Sequence, residues 1–200
     1  NRKVEPKIKT FEKEMLTKFS NETESFINNY ISYSIASMLN SLDVSYNMYT
    51  TGKGSEDTKA NLYLKYLNNK KVRYYNSEYM LFFKAFFTGE FKKITLEKAI
   101  SIDVSNAIND AASFSELSIA LSKFPFLKDK EFRELFLING LKEVYNDKYF
   151  NQKNIIKILE TIQSNSQFPE QKIIAENVIK RLTIKAIAKG QKAPPFTLKN

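Results

Sequence analysis

The sequence predicts an all-α fold: an irregular array or bundle of seven to nine helices, followed by an extended C-terminal tail. Three observations carry this expectation. Apolar residues recur at three- and four-residue spacing through most of the chain, the pattern of helices that each bury one stripe. Only 5 Gly and 5 Pro occur in 200 residues, too few for the many tight turns of an all-β chain. No convincing strand is visible before residue 194. Core material is ample, with 42% hydrophobic residues including 16 Phe and 11 Tyr, so the composition is that of a folded chain.

Taken in order, a short amphipathic helix is expected over about residues 7–19. A clearer one follows, with Phe26, Ile27, Tyr30, Ile31, Ile35, Met38, Leu39 and Leu42 on one stripe. Ser20 or Asn21 would cap it, and Glu22 and Glu24 would sit in a first turn where the helix dipole favours acids. Residues 45–57 read as a loop holding Gly52 and Gly54. The next helix is expected over about 57–68, with Leu62, Tyr63, Tyr66 and Leu67 on one face. Another starts at Asn76 or Ser77, carries Tyr79, Met80, Phe82, Phe83, Phe86 and Phe87, and ends at Gly89. Short helices are expected over 95–102, 104–112 and 114–123, with Pro125 stopping the last. Asp129 caps a long helix over 130–145, whose Phe132, Leu135, Phe136, Ile138, Leu141, Val144 and Tyr145 face inward. A helix over 152–162 turns Ile155, Ile158, Leu159 and Ile162 inward. The last one opens with Pro169 in its first turn, carries Ile174, Val178 and Leu182, and runs to about Lys189. Gly190 and Pro194-Pro195 then end helical structure, and Phe196, Thr197 and Leu198 alternate as a strand does. No fixed-period repeat occurs, although successive amphipathic hairpins could stack as a short solenoid.

Composition removes whole classes of chemistry. With no cysteine, these residues form no disulfide, zinc–thiolate site or catalytic thiol. With no histidine, serine–histidine and cysteine–histidine nucleophiles are excluded. No catalytic residue, cofactor site or metal site is therefore assigned. No apolar run approaches the roughly 20 residues that span a bilayer. No signal-like segment is visible, and the start at Asn1 is read as a processed or trimmed one. The net charge of +9 is spread over two stretches: +5 over residues 53–98 and +6 over 141–200. Residues 1–52 are neutral and 99–140 carry −2, and no block of like charges resembles a nucleic-acid arm.

Several stretches invite a functional reading. The run from Tyr63 to Tyr79, YLKYLNNKKVRYYNSEY, mixes aromatics with Lys70, Lys71 and Arg73, as a single-strand nucleic-acid surface does. The competing reading packs Tyr63, Tyr66, Tyr74, Tyr75 and Tyr79 in the core with their hydroxyls reaching solvent. That reading is preferred, because the aromatics continue at helical spacing into Phe82, Phe83, Phe86 and Phe87. TTGKGSED (residues 50–57) has Gly, Lys and Ser together, but its glycines are two apart and no strand precedes it, so it reads as a surface loop and not a phosphate loop. Carboxylates are scattered: Asp103 and Asp110 flank one short helix, and Glu131 and Glu134 are expected on a solvent face. Asn21-Glu22-Thr23 matches a glycosylation acceptor. FRELFLINGLKEVYND (132–147) has an apolar face wide enough for a partner groove, and a buried central helix explains it better.

The segment GQKAPPFTLKN resembles the opening of the thioredoxin-like redoxins, the group of TlpA/ResA-like thiol–disulfide oxidoreductases and AhpC/TSA peroxiredoxins. Gly190, Ala193, Pro194, Phe196, Leu198 and Asn200 fall in order on that pattern of Gly, Ala-Pro, aromatic, Leu and polar residue. The preceding helical stretch is similar to the region that often comes before the thioredoxin domain in secreted Bacteroidetes proteins. The resemblance implies that residues 1–189 are a helical domain and 190–200 a linker with the first residues of a thioredoxin-like domain. It implies a parent protein acting in thiol–disulfide exchange outside the cytoplasm, in the periplasm or cell envelope. The family's reactive Cys-x-x-Cys is not within these residues, so no catalytic residue is carried over. The helical part is then expected to be non-catalytic: it recruits clients, positions the redox domain, or dimerises. Its expected partners are the thioredoxin-like domain, client proteins or a second copy, with no nucleic acid and no cofactor. The alternative is a stand-alone helical interaction scaffold. The tail itself is expected to be mobile or docked on a neighbouring surface.

Overall fold

The computed structural model describes residues 4–20, 25–49, 56–97 and 100–184, and the fold is all-α. The helices are α1 (Val4–Lys18), α2 (Ser25–Tyr49), α3 (Glu56–Tyr66), α4 (Ser77–Phe87), α5 (Glu90–Leu96), α6 (Ser101–Asn109), α7 (Phe114–Leu121), α8 (Lys130–Val144), α9 (Gln152–Asn165) and α10 (Pro169–Thr183). Nine of them have eight residues or more, α5 adds a seven-residue piece, and no strand occurs among the described residues. A 3₁₀ turn, Pro125–Leu127, joins α7 to α8.

Side-chain caps set several of the starts. Asn76 accepts from the Tyr79 N–H at 2.9 Å, Ser113 from Glu116 at 3.2 Å, and Asp129 from Phe132 at 2.8 Å. Asn151 accepts from both Lys153 and Asn154. Each satisfies a donor that the first helical turn leaves without a partner. Pro169 sits in the first turn of α10, where its missing N–H is no loss.

The core is built around α8. Phe132, Leu135, Phe136, Leu137, Ile138, Leu141 and Val144 are all buried, while Lys130 and Glu143 remain exposed. It packs against α5, α7, α10 and the 3₁₀ turn. One flank of the array is α1 on α2, with α2 across α3 and α4; the other is α6, α7, α9 and α10. A chain of rings links the two. Tyr33 of α2 meets Tyr79 edge-on at 4.9 Å, Phe83 meets Phe132 at 4.8 Å, Phe87 meets Phe136 at 5.1 Å, and Phe136 meets Phe91 at 5.9 Å. Tilted and edge-to-face pairs at these distances are the favoured aromatic geometries.

Several expectations are corrected. Residues 45–49, expected in a loop, continue α2 as helix. The helix expected over 95–102 does not exist as one piece: α5 ends at Leu96, with Glu97 extended, and α6 begins at Ser101. The expected stop at Gly89 is also a start. Its φ of +77° turns the chain directly from α4 into α5, a conformation glycine adopts freely. Pro125 opens a turn, and α7 has already ended at Leu121. The last helix ends at Thr183, with Ile184 extended, and not at Lys189. On α2 the stripe holds in part: Ile31 and Ile35 are buried and Leu39 packs against the core. Phe26, Tyr30 and Met38 are exposed, while Tyr33, Ala36 and Asn40 are buried. Tyr33 faces the ring chain, and its hydroxyl donates to the Tyr66 carbonyl.

Candidate functional site

The Tyr63–Tyr79 stretch resolves as core. Tyr63, Tyr66 and Tyr79 are buried and Tyr74 is half-buried; Tyr75, at 86% exposed, is the exception. The expected solvated hydroxyls are a further correction. Tyr33 donates to the Tyr66 carbonyl at 3.2 Å, Tyr66 to Glu12 at 3.3 Å, and Tyr74 to Glu131 at 3.1 Å. The Tyr79 hydroxyl is fully buried and has no partner. Desolvation by burial raises the pKa of each of these four phenols, so all are neutral hydroxyls at ordinary pH. Lys70 and Lys71 are exposed, while Arg73 lies against Tyr33. A base-stacking platform needs rings on the surface, and these rings are spent on the interior.

Glu131 and Glu134 are not on a solvent face. Glu134 is 3% exposed, and its carboxylate accepts from the buried Ser166 hydroxyl. Glu131 accepts from Tyr74, and Gln171 donates both to the Tyr74 hydroxyl at 2.6 Å and to the Glu131 carbonyl at 2.7 Å. This network ties the start of α10 to α8 and to the loop before α4, which is a structural duty. Asp103, in α6, pairs with Lys123 at 2.6 Å, and Asp110 caps the end of that helix. Among the described residues no group of three or more His, Cys, Asp or Glu is arranged to hold a metal ion. Asn21-Glu22-Thr23, residues 50–55, and the tail motif Gly190, Ala193, Pro194, Phe196 and Leu198 lie outside the described residues. Glu56 and Asp57 belong to the first turn of α3.

What the structure does assemble is a groove between α4 and α8, about 220 Å³ in volume. Its floor is apolar: Phe83 and Phe87 one turn apart on α4, Phe136 and Gly140 one turn apart on α8. Phe87 meets Phe136 across the gap, and Phe83, Phe136 and Gly140 are themselves buried. Lys84 and Thr88 form one rim, and Asn139, Lys142 and Glu143 form the other. Glu143 is engaged, since its carboxylate accepts the Gly89 N–H at 2.8 Å and so holds the start of α5.

The cations are arranged differently. Lys142 is half-buried and feels two others, Lys84 from α4 and Arg181 from α10. Burial, then these two charges, hold its ammonium below the usual lysine range. None of the three forms an ion pair among the described residues, whereas Lys59, Lys65, Lys92, Lys93, Lys123 and Lys180 all do. Lys84 and Lys142 thus line opposite rims of an apolar floor, with the Glu143 carboxylate next to Lys142. Sequence reading missed this site. Its signal was a lysine inside each of two aromatic or aliphatic runs, Lys84 in FFKAFF and Lys142 in GLKEV, and the spacing says nothing about their convergence.

No helix among the described residues is long and apolar enough to cross a membrane. Compared with protein-family models, curated proteins and solved structures, the chain matches none of them.

Proposed function

We propose that this chain is a non-catalytic helical module that holds a protein partner, acting as the accessory part of an extracytoplasmic thiol–disulfide oxidoreductase. The observation that carries the binding role is the α4–α8 groove, a cleft between two helices with an apolar floor and with Lys84, Lys142 and Glu143 on its rims. The redox context comes from the tail, whose Gly190, Ala193, Pro194, Phe196 and Leu198 follow the redoxin opening pattern. In this reading the helical part supplies affinity and position, and the thiol chemistry belongs to a thioredoxin-like domain.

The test compares reduction of a folded, disulfide-bonded client, such as insulin, by the longer protein and by a protein beginning near residue 190. Faster reduction by the longer form supports client recruitment. Equal rates reduce the helical part to a spacer or dimerisation element. A coding sequence with no Cys-x-x-Cys after residue 200, together with no thiol activity, leaves the second reading: a stand-alone scaffold using the same groove.

A further inference from the structure

We infer that the open face of α2 docks a second copy of this chain, α2 against α2, antiparallel, about a two-fold axis at Ser34. This surface is separate from the α4–α8 groove, and the inference stands with or without a redox domain.

The face is a row of residues four apart: Phe26, Tyr30, Ser34, Met38 and Leu42. Such rows are the ridges along which helices pack. α1, α3 and α4 pack on other sides of α2, and Ile31, Tyr33, Ile35 and Ala36 are buried. The row itself stays open. Phe26 is 51% exposed, Met38 46% and Tyr30 42%, with Ser34 and Leu42 half-buried. The Phe26 and Tyr30 rings lie 6.4 Å apart, so one turn of the helix shows solvent a paired aromatic surface. Charge is missing as well. Charged residues make up 26% of the chain, yet Asp43 is the only one in α2. A solvated helix face ordinarily carries charges, whereas the centre of an interface is poor in them and rich in aromatics and Met.

Two features select a second copy as the occupant. The first is symmetry. About Ser34 the row reads large, large, small, large, large in both directions. A two-fold contact sets each residue against its mirror position, so Tyr30 meets Met38 of the second copy and Phe26 meets its Leu42. A ring against a thioether is a favourable pair. Ser34 meets its own copy, and its small side chain lets the axes approach to about 8 Å. The second feature is charge. Each copy carries +9, so charged faces of two copies repel. An uncharged row is where that repulsion is least. The exposed parts of the four large side chains come to roughly 400–500 Å² per copy, or about 800–1,000 Å² in all. That is short of a permanent dimer and in the range of transient ones, which puts Kd on the order of 0.1 mM.

The first measurement is analytical ultracentrifugation of the chain from about 0.01 to 0.5 mM, where a Kd of that order takes the protein from mostly monomer to mostly dimer. The weight-average mass is expected to rise from 23.2 kDa towards twice that value. Raising salt from about 0.05 to 0.5 M is expected to tighten the dimer, because it screens the repulsion between the copies. Ser34→Glu sets two carboxylates face to face on the axis and is expected to weaken the dimer at least about tenfold, while Ser34→Ala keeps it. Met38→Glu is the second disruptive variant, and circular dichroism checks that each variant folds. The second measurement uses the absence of cysteine from the chain. Ser34→Cys places two thiols on the axis, within the roughly 4.4–6.8 Å Cα separation that a disulfide spans, and mild oxidation is expected to link the copies. Tyr30→Cys is expected to link poorly, because its two copies lie about 12 Å apart along the antiparallel pair.

The inference is overturned if the mass stays that of a monomer up to 0.5 mM, including the case in which the monomer instead binds lipid vesicles. It is overturned if a dimer forms that folded Ser34→Glu and Met38→Glu leave intact, or one that salt weakens, since either places the contact elsewhere. Tyr30→Cys linking as fast as Ser34→Cys refutes the antiparallel pairing about Ser34.

Discussion

Gly140→Ala offers a test in which two forces of opposite sign compete. Alanine in a helix interior is ordinarily better than glycine by about 1 kcal/mol. Gly140 lies within α8, so propensity alone predicts a gain. The space is taken, however. A Cβ there would stand 2.7 Å from the Cβ of Phe91, and nearer still to its ring. Relaxed carbon contacts lie at about 3.5–4.0 Å. Phe91 is fully buried and its ring already rests on Phe136, so it cannot swing away. Relief requires α5 itself to move, which puts the overpacking near the upper end of about 1–3 kcal/mol. The net expectation is a loss of about 2 kcal/mol, a fall in Tm of about 4–8 °C for a chain of this size. Thermal and urea unfolding followed by far-ultraviolet circular dichroism measure it. In a Phe91→Gly background, which removes the Cβ as well as the ring, the obstacle is gone, and the same substitution should then stabilise by about 1 kcal/mol. Gly140→Ala melting at or above the wild-type temperature, or acting equally in both backgrounds, would refute the reasoning.

Three further substitutions probe the polar interior. Burial pushes the Glu134 carboxyl above its ordinary value, against the opposing pull of Ser166, Lys130 and Arg133. The native state therefore holds that proton more tightly than the unfolded chain, which favours folding below the unfolded pKa and fades as pH rises through the raised one. Glu134→Gln keeps an acceptor for Ser166 and removes the titration, so its Tm relative to wild type should be higher at pH 7 than at pH 4; an equal difference at both contradicts the linkage. Tyr79→Phe deletes a buried hydroxyl without a partner and is expected to raise stability by about 1 kcal/mol in urea unfolding, and a loss of that size would mean the hydroxyl is satisfied. Asp129→Ala removes the cap of α8 and should lower stability by about 1 kcal/mol, while Asp129→Asn should retain most of it.

The fold class was legible because helical periodicity survives even where individual faces are misjudged. α9 shows why: its Ile155, Ile158, Leu159 and Ile162 form one clean stripe against polar neighbours, and all four are buried. On α2 the same method placed Ile31 and Ile35 correctly and misjudged the rest, since Tyr30 is exposed while Tyr33 and the polar Asn40 are buried by context. Glu134 is a similar case; only the fold places Ser166, thirty-two residues away, beside it. Boundaries failed where glycine or a short connection let one helix follow another, as at Gly89 and at Glu97. The groove was illegible for a different reason. Lys84, Lys142 and Arg181 come from three helices, and no local pattern records that α4, α8 and α10 bring them together.

Phe136 and Gly140 belong to two surfaces at once, as packing residues of the interior and as the floor of the cleft. Binding and folding therefore share one equilibrium. Truncating the floor would unfold the protein before it reported on affinity, so the cleft can be dissected only from its rims. The converse is useful. An occupant that recognises the native floor alone adds RT ln(1 + [L]/Kd) to stability, about 2.7 kcal/mol at a hundredfold excess over Kd. The melting temperature of this chain thus serves as its own ligand sensor, able to report a partner segment before that partner has been identified.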